Sequence, residues 1–513
     1  MSPLCYTLII IFTTQLLFTV CKKRKEVCAR EDGISKLPNH ILSSIISLLP
    51  AEEALRTSVL AKHWKHLWSQ ASRLDFNQNC MLESAFQRWF EVYKDPNTSP
   101  GEVFDAFDLL MLQFEDAIKS IKKVLTYHCG VLERCRIVHI TNSCRNGDLV
   151  GLIRYLVDVK RVHEIDLECK YIESWDRVEY FKNFKGDAEM GIPIRNVTPP
   201  TLDLCFHKLA GNCAVLKLMH YVLKNSPLLR VCENLKTLKL NKVWLSEGLF
   251  EGILLKCVSL ENLSLIGCKQ FKKLRIHGSR IKFLELREMT LHMIHVVAVN
   301  LEVIVFDTLV CQWKGLVVDA PNLRVIRVYY GDPIGRGMPK LRFQRVLLTT
   351  RVILEIFTNL VTSEGSVRPN MLENLVTLCI DLDLNGQRDI TALYLALKSC
   401  NSLEQLEINN QDFYGSQNSS PTDFKFWERR EPSICIFQKL KTVRISGIKG
   451  KVLEFEFIKY VIRKAKLLTR MTLVFVNENA HNAFTSNTVS VMGTSKDLCI
   501  TLMTAGQECI EKD

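Results

Sequence analysis

With 513 residues, 47% of them hydrophobic and 24% charged, the chain is folded rather than wholly disordered, and its length suits about three domains or one elongated array beside a small module. A formal charge of +12 is mild for this size, compatible with an acidic partner or a nucleic acid and proof of neither, and no nucleic-acid partner is expected. Nineteen cysteines, an odd number, run from Cys5 to Cys509 with no regular framework and no C-x-x-C pair, which argues against a zinc ribbon or finger and for reduced thiols of the cytosol or nucleus.

The chain opens on an apolar run, Leu4 to Val20, followed by Lys22-Lys23-Arg24-Lys25, and residues 1–30 stand apart as a leader. Three readings stay open. A signal peptide wants its positive charge ahead of the apolar core, and Thr19-Val20-Cys21 is a poor cleavage site. A membrane anchor requires a span at whose lower limit these seventeen residues lie; it would hold the basic run on the cytoplasmic side, and Thr7, Thr13, Thr14, Gln15 and Thr19 weaken it. The third is an unstructured leader or a mispredicted first exon. Membrane contact is expected through Leu4–Val20 or not at all. The basic run also fits a weak nuclear-import pattern.

Residues 31–76 read as three short helices. Pro38 suits a first helical position, Ile41, Leu42, Ile45, Ile46 and Leu49 then recur at helical spacing, and Pro50 ends that helix. Glu52 and Glu53 favour the first turn of a second helix, and Lys62 to Trp68 forms a third with Trp64 and Trp68 one turn apart. So short a segment buries too little of its chain to cover these apolar side chains, so another surface is expected to cover them.

Leu37-Pro38, Leu49-Pro50, Arg56-Thr57-Ser58-Val59-Leu60, Lys62-His63-Trp64-Lys65-His66-Leu67-Trp68 and Leu74-Asp75-Phe76 resemble, in order and spacing, the signature of the plant F-box proteins. That resemblance implies docking on the SKP-type adaptor of an SCF cullin-RING ubiquitin ligase and, through it, on a cullin. The adaptor face it implies comprises Leu37, Pro38, Ile41, Leu42, Ile45, Leu49, Pro50, Val59, Leu60, Trp64, Leu67 and Trp68. Asn39, Ala51, His63 and His66 depart from the usual residues but leave the apolar anchors in place.

Residues 77–130 read as a helical linker, with helices over Met81 to Tyr93 and Gly101 to Thr126 broken at Asp95 to Pro100; Phe104, Phe107, Leu110, Met111 and Phe114 are expected to pack. From Val131 the pattern changes to short strands. The phrase L-x-x-L-x-L then recurs with first apolar positions Leu235, Leu260, Ile281, Leu301 and Leu323, at steps of 25, 21, 20 and 22 residues, and again from Asn374, Ser402 and Lys439. These periods belong to leucine-rich repeats. Phe271 to Ile276 repeats the phrase at a half-step, which predicts extra strands on the outer side.

The fold expected is an α/β solenoid: a small three-helix N-terminal F-box followed by an irregular leucine-rich-repeat array over residues 131–435. Alternation sends Leu238 and Leu240 inward and Thr237 and Lys239 to an open face, so Lys239, Ser264, Arg275, Glu285, Arg327, Glu407 and Arg444 are the candidate contacts to a target protein. A basic run, Lys269, Lys272, Lys273, Arg275, Arg280 and Lys282, would attract an acidic partner or simply be solvated. Inserts at Tyr330 to Pro369 and Asn409 to Pro432 interrupt the array, and Trp427 in the second is a candidate specificity residue or part of a spacer. Residues 436–476 read strand, turn, helix, strand; they resemble the FBD motif in Leu453-Glu454-Phe455, Phe457-Ile458-Lys459-Tyr460 and Ala465-Lys466-Leu467-Leu468, and are expected to cap the array. Residues 477–513 are expected to be a loose tail.

No catalytic chemistry is legible. Gly447-Ile448-Lys449-Gly450-Lys451 has the wrong glycine spacing for a phosphate loop, and no H-E-x-x-H, G-x-S-x-G or G-x-G-x-x-G occurs. No cofactor, metal site or catalytic residue is therefore expected. The resulting expectation is a non-catalytic substrate receptor of a ubiquitin ligase, cytoplasmic, nuclear or both, with a scaffold outside any ligase, or a decayed copy, as the alternative.

Overall fold

The computed structural model describes residues 34–504 except 35–36, 141–147, 171–200, 203–211, 225–232, 278–279, 312–315, 330–345, 348–371, 412–424, 430–436 and 489–497. The leader 1–30 and most of the two inserts lie outside the described residues. The chain divides into two compact units, Met1–Leu74 with Tyr127–Val131, and Asp75–Thr126 with Leu132–Asp513.

In the first unit two prolines set the helix starts. Pro38 (φ −58°) and Pro50 (φ −51°) stand at the N-cap positions of Asn39–Ile46 and Ala51–Arg56, where ring-fixed φ values suit the chain's entry into a helix. Their carbonyls accept from the Leu42 and Ala54 amides at 3.1 and 2.9 Å. The third expected helix is instead two 3-10 segments, Thr57–Val59 and Lys62–Gln70. With three residues per turn, Trp64 and Leu67 share the buried side and Trp68 turns to a half-buried position. Tyr127–Val131 also belongs to this unit: Ser69 O accepts from the Cys129 and Gly130 amides, both at 2.9 Å, and His128 Nε2 bonds Ala71 O at 2.8 Å. The end of the expected linker is therefore part of the F-box unit, because these backbone groups of the 3-10 segment find their partners there.

The second unit is built on a sheet of fourteen strands, the first of which, Arg73–Asn77, belongs to it from Asp75 on: it is followed by Arg134–Ile140, Glu164–Lys170, Val215–Met219, Thr237–Asn241, Asn262–Ile266, Phe283–Arg287, Val303–Asp307, Val325–Tyr329, Thr377–Leu382, Gln405–Asn410, Thr442–Ile448, Arg470–Phe475 and Cys499–Thr504. From the second strand onward neighbours pair parallel. The repeat phrases fall in register, so that Leu238, Leu263, Leu284, Ile304, Ile326, Leu378 and Leu406 stack as one buried ladder. A second ladder, Leu240, Leu265, Leu286, Phe306 and Val328, runs beside it. Each repeat thus buries its apolar face only against its neighbours.

The corners repeat too. His220, Lys242, Gly267, Glu288 and Thr308 each follow a strand directly and have φ between 48° and 64°. The amide of each donates to the last carbonyl of the next strand, at 2.6 to 3.2 Å, so the turn that ends one repeat is pinned by the following one.

The half-step phrase does form extra strands: Lys273–His277, Met293–Val297 and Leu316–Asp319 make a separate three-stranded sheet. Elsewhere helices take that place, including Glu247–Lys256, Gln387–Ser399 and Val452–Lys464.

Four expectations require correction here. Residues past Asn477 are not uniformly loose, since Glu478–Thr488 is helical with Ala480 and Phe484 buried and Cys499–Thr504 adds a strand beyond Arg470–Phe475. Residues 436–476 accordingly do not end the sheet; two apolar anchors among polar neighbours gave too sparse a pattern to read as a helix. Trp427 is buried, its ring 4.8 Å from Phe457 and 5.1 Å from Tyr460, and is core rather than an exposed contact. Phe104 is exposed on the helix Pro100–Tyr127, whereas Leu110 is buried and Phe107 packs on Trp89 at 6.0 Å.

Candidate functional site

The F-box unit sorts its apolar side chains into two sets. Leu42, Ile46, Ala51, Ala54, Trp64 and Leu67 form its core. Leu37, Ile41 and Ile45 lie four residues apart along an adjacent side and are exposed, as are Pro38, Pro50, Val59 and Leu60. Leu49 and Trp68 are half-buried. Three residues expected on the adaptor face, Leu42, Trp64 and Leu67, are buried, because the helical period of the first helix and the 3-10 period carry them inward. Two exposed residues were missed, Ile34 at 57% and Leu48 at 75% exposure. Leu48 follows the helix, continuing the spacing from Ile45, and its position just before Pro50 was the available signal.

On the solenoid, Lys239, Ser264, Glu285, Val305, Arg327, Cys379, Glu407 and Arg444 follow one another strand by strand in a single row of the open face. Arg275 is not in that row. It lies in the separate three-stranded sheet, paired in register with His295, because the half-step phrase that carries it is indistinguishable in sequence from the main one. Ser264 and Glu285 are on the predicted face but buried and hydrogen-bonded to each other, with Arg287 Nε 2.5 Å from Glu285.

The row varies in chemistry along its length. At its start Arg134, Arg136 and Lys217 face Asp75, Glu164, Asp166 and Glu168 in ion pairs of 2.7 to 3.8 Å, so these charges are satisfied within the chain. Burial raises the Asp166 carboxyl, opposed by Lys217, Arg136 and Arg134. In the middle the row itself carries Val305, and Phe283, Val303 and Val325 form a parallel apolar row beside it. Toward the end a cavity of about 500 Å³ opens, lined among others by Tyr329, Cys379, Asp381, Glu407, Asn409 and Arg444. Arg444 Nε is 3.9 Å from Glu407, and the Cys379 thiol is 3.5 Å from the same carboxylate. Burial pushes that thiol up to about 12, with Glu407 acting in the same direction.

The basic run has acids in space that it lacks in sequence. Glu247 accepts from the Lys272 and Lys273 amides at 3.0 and 3.1 Å, Glu261 pairs with Lys282 at 3.2 Å, and Glu251 lies 4.0 Å from Arg275. The preceding repeat supplies each of them, so Lys282 and Arg275 have carboxylates beside them, while Glu247 is bonded to backbone amides. Glu454 fills the turn that superficially looked like a phosphate loop. Its carboxylate, wholly buried, accepts from the amides of Lys449, Gly450 and Lys451 and from the side chains of Asn385 and Asn410, at 2.7 to 3.0 Å. An anion-binding nest of backbone amides is thus occupied by the chain itself.

Among the described residues no group of three His, Cys, Asp or Glu is arranged to hold a metal ion, and no helix is long and apolar enough to cross a membrane.

A short helical module with an uncovered apolar side, and a parallel solenoid with a side-chain-rich open face, define an F-box and leucine-rich-repeat protein. Residues 34–75 match the family model of the F-box domain, and residues 201–505, more than half the chain, match the model described as At1g61320/AtMIF1, LRR domain. The chain belongs to this plant F-box and leucine-rich-repeat family. It is similar to the Arabidopsis thaliana F-box protein At1g80960, 28% identical over 470 residues that cover 89% of this chain and 86% of that one. It is also similar to an Arabidopsis thaliana chain named as an F-box/FBD/LRR-repeat protein, At5g62970, 22% identical over 85% of this chain and 91% of that one. A third Arabidopsis thaliana F-box protein, At1g49610, is 47% identical over 55 residues, 11% of this chain and 14% of that one.

Proposed function

We propose that the chain is the substrate-receptor subunit of an SCF-type cullin-RING ubiquitin ligase, its F-box docking on the SKP-type adaptor and its solenoid holding a target protein. The observation that carries the reading is the exposed set Leu37, Ile41, Ile45, Leu48, Val59 and Leu60 on a module with a core of its own in Leu42, Ile46, Ala51, Ala54, Trp64 and Leu67. Exposed apolar side chains so concentrated in a short segment mark an interaction surface. The role is one of proximity, with ubiquitin chemistry performed by other subunits. Residues 436–476 correspond to the FBD motif, a reading supported by the names of three relatives. None of the eleven described cysteines is in a disulfide bond, which suits a reducing compartment such as cytosol or nucleus.

The test is capture of the adaptor and cullin from plant cells by the tagged chain. Wild type is expected to recover both. Ile41→Glu with Leu60→Glu is expected to lose them while keeping its circular dichroism spectrum. Recovery of neither partner by wild type, or undiminished recovery by the double variant, would overturn the reading.

A further inference from the structure

The helix Pro100–Tyr127 buries one side and leaves apolar residues on the other. Val103, Leu110, Ala117, Ile121 and Leu125 are buried, and Phe107 packs beside them on Trp89 of the helix Glu83–Lys94. Phe104, Leu109 and Leu112 remain exposed, at 42%, 57% and 59%. Asp105, Leu109, Leu112 and Asp116 recur at steps of four, three and four residues, and Asp108 stands one turn before Leu112. All five therefore share one outer side about 16 Å long.

Helix stability alone does not account for the acids. From Pro100 to Ile118 the chain carries Glu102, Asp105, Asp108, Glu115 and Asp116 and no lysine, arginine or histidine. Glu102 serves the helix start, accepting from the Ser99 amide and hydroxyl at 2.8 Å, and Asp116 pairs with Lys119 at 2.9 Å. Asp105 and Asp108 are exposed and lie beyond the first turn, where the helix dipole no longer favours a carboxylate, and aspartate is a poor former of helix interiors. On the neighbouring helix Arg88 Nε donates to Ser84 O at 3.3 Å, and Lys94 lies over the Phe90 ring at 4.3 Å. Among the described residues neither Asp105 nor Asp108 has an ion-pair partner. Leu109 and Leu112 thus form an apolar centre framed by two unpaired carboxylates, in a chain whose formal total is +12.

Grouped exposed apolar side chains mark an interaction surface, and the carboxylates around them set the sign of the charge that complements it. The surface is the side of a rod, with no strand edge to pair, so side chains arriving at matching three- and four-residue steps fit it best.

We propose that this side of the helix Pro100–Tyr127 docks an amphipathic helix of a partner protein, apolar along its contact line and bearing lysine or arginine beside it. The apolar line covers Leu109 and Leu112, and the basic residues meet Asp105 and Asp108. The surface shares no residue with the adaptor side of the F-box or the open face of the solenoid, so its occupancy does not depend on ligase assembly.

The test measures fluorescence anisotropy of labelled synthetic peptides with the purified complete chain. The probes are a leucine and lysine peptide of amphipathic helical spacing, its leucine and glutamate counterpart, and a scrambled leucine and lysine peptide. The first is expected to bind about tenfold more tightly than either of the others. Asp105→Asn with Asp108→Asn should remove that advantage, and so should Leu109→Gln with Leu112→Gln, each with a melting curve close to wild type because all four positions are exposed. Glu83→Gln with Glu91→Gln, which removes as many exposed acids from the neighbouring helix, should leave it intact. No binding of the first peptide by the folded chain, an equal affinity for the scrambled or glutamate peptide, an advantage that survives either of the first two double variants, or an equal loss in the glutamate variant would overturn the proposal. Self-association of the wild-type chain in sedimentation velocity that Leu109→Gln with Leu112→Gln abolishes would assign the surface to a second copy and overturn it as well.

Discussion

At single residues the solenoid depends on a few buried polar groups and on backbone conformations that only certain residues tolerate. Glu454 satisfies five donors without any exposure of its own, and Glu454→Ala would leave three amides and two asparagine side chains without it. Each unsatisfied buried group costs about 1–3 kcal/mol before relaxation, so a loss of roughly 3 kcal/mol or more is expected, read as a lower urea midpoint at unchanged slope. Gly447 has φ 75°, and a Cβ there would overlap the Asn410 carbonyl oxygen. Gly447→Ala is expected to cost more than the roughly 1–2 kcal/mol of a left-handed residue alone, again in the urea midpoint. His220 sets a pH limit. Burial lowers its folded value below the ordinary 6.5, against the raising effect of its bond to the Cys169 carbonyl; Lys242 lowers it further and Glu168 raises it. The unfolded chain then binds more protons, so stability is fully present above about pH 6.5 and falls as the pH drops through the folded value. His220→Asn, which tolerates the φ of 64° at this corner, should flatten that decline, measured as the difference in urea midpoint between pH 7.5 and pH 5.

At the level of elements the two sides of the F-box make a sharp contrast. Leu42→Ala removes a wholly buried side chain and is expected to cost about 2–5 kcal/mol, unfolding a small module. Ile45→Ala, one turn on but 40% exposed, should leave the melting curve nearly unchanged and weaken adaptor capture. If both variants lost stability alike, the division into core and docking side would fail. Much of the solenoid was legible beforehand for one physical reason: a strand buried on one face has a period of two, and its inward residues have no alternative to the spine. What could not be read follows from the same rule. Arg275 sits in a phrase that satisfies the period equally well in either sheet, and only the three-dimensional winding decides which. Glu285 obeys the alternation yet is buried because Ser264 and Arg287 of neighbouring positions close over it. The basic run looked unopposed because its acids lie a full repeat earlier, a distance that charge patterning along the chain does not register. Trp427 stood in a polar insert, and nothing in its neighbours announced the aromatic pocket formed by Phe457 and Tyr460.

For the whole molecule the decisive matter is how a stack of repeats with no core of their own avoids an exposed end. A parallel array leaves its last strand with unpaired backbone groups and one uncovered apolar face, and both invite association with another chain. Here the strand Arg470–Phe475 pairs residue by residue with Cys499–Thr504, and the helix Glu478–Thr488 sets Phe484 5.5 Å from Phe475 and 5.4 Å from Phe455. Val474 of the strand thus protected also lines the cavity beside Glu407 and Arg444. A chain stopped after Asn477 would turn Arg470–Phe475 into an open edge and expose the Phe475 ring. It is expected to self-associate in sedimentation velocity. Phe484→Ala keeps the closing strand and should cost about 3–5 kcal/mol while remaining monomeric, which separates loss of packing from loss of edge protection. A monomeric truncated chain with an unshifted, cooperative melt would show that the closing helix and strand are dispensable, and the array would then have to be stabilised at that end by the Val452–Lys464 helix alone.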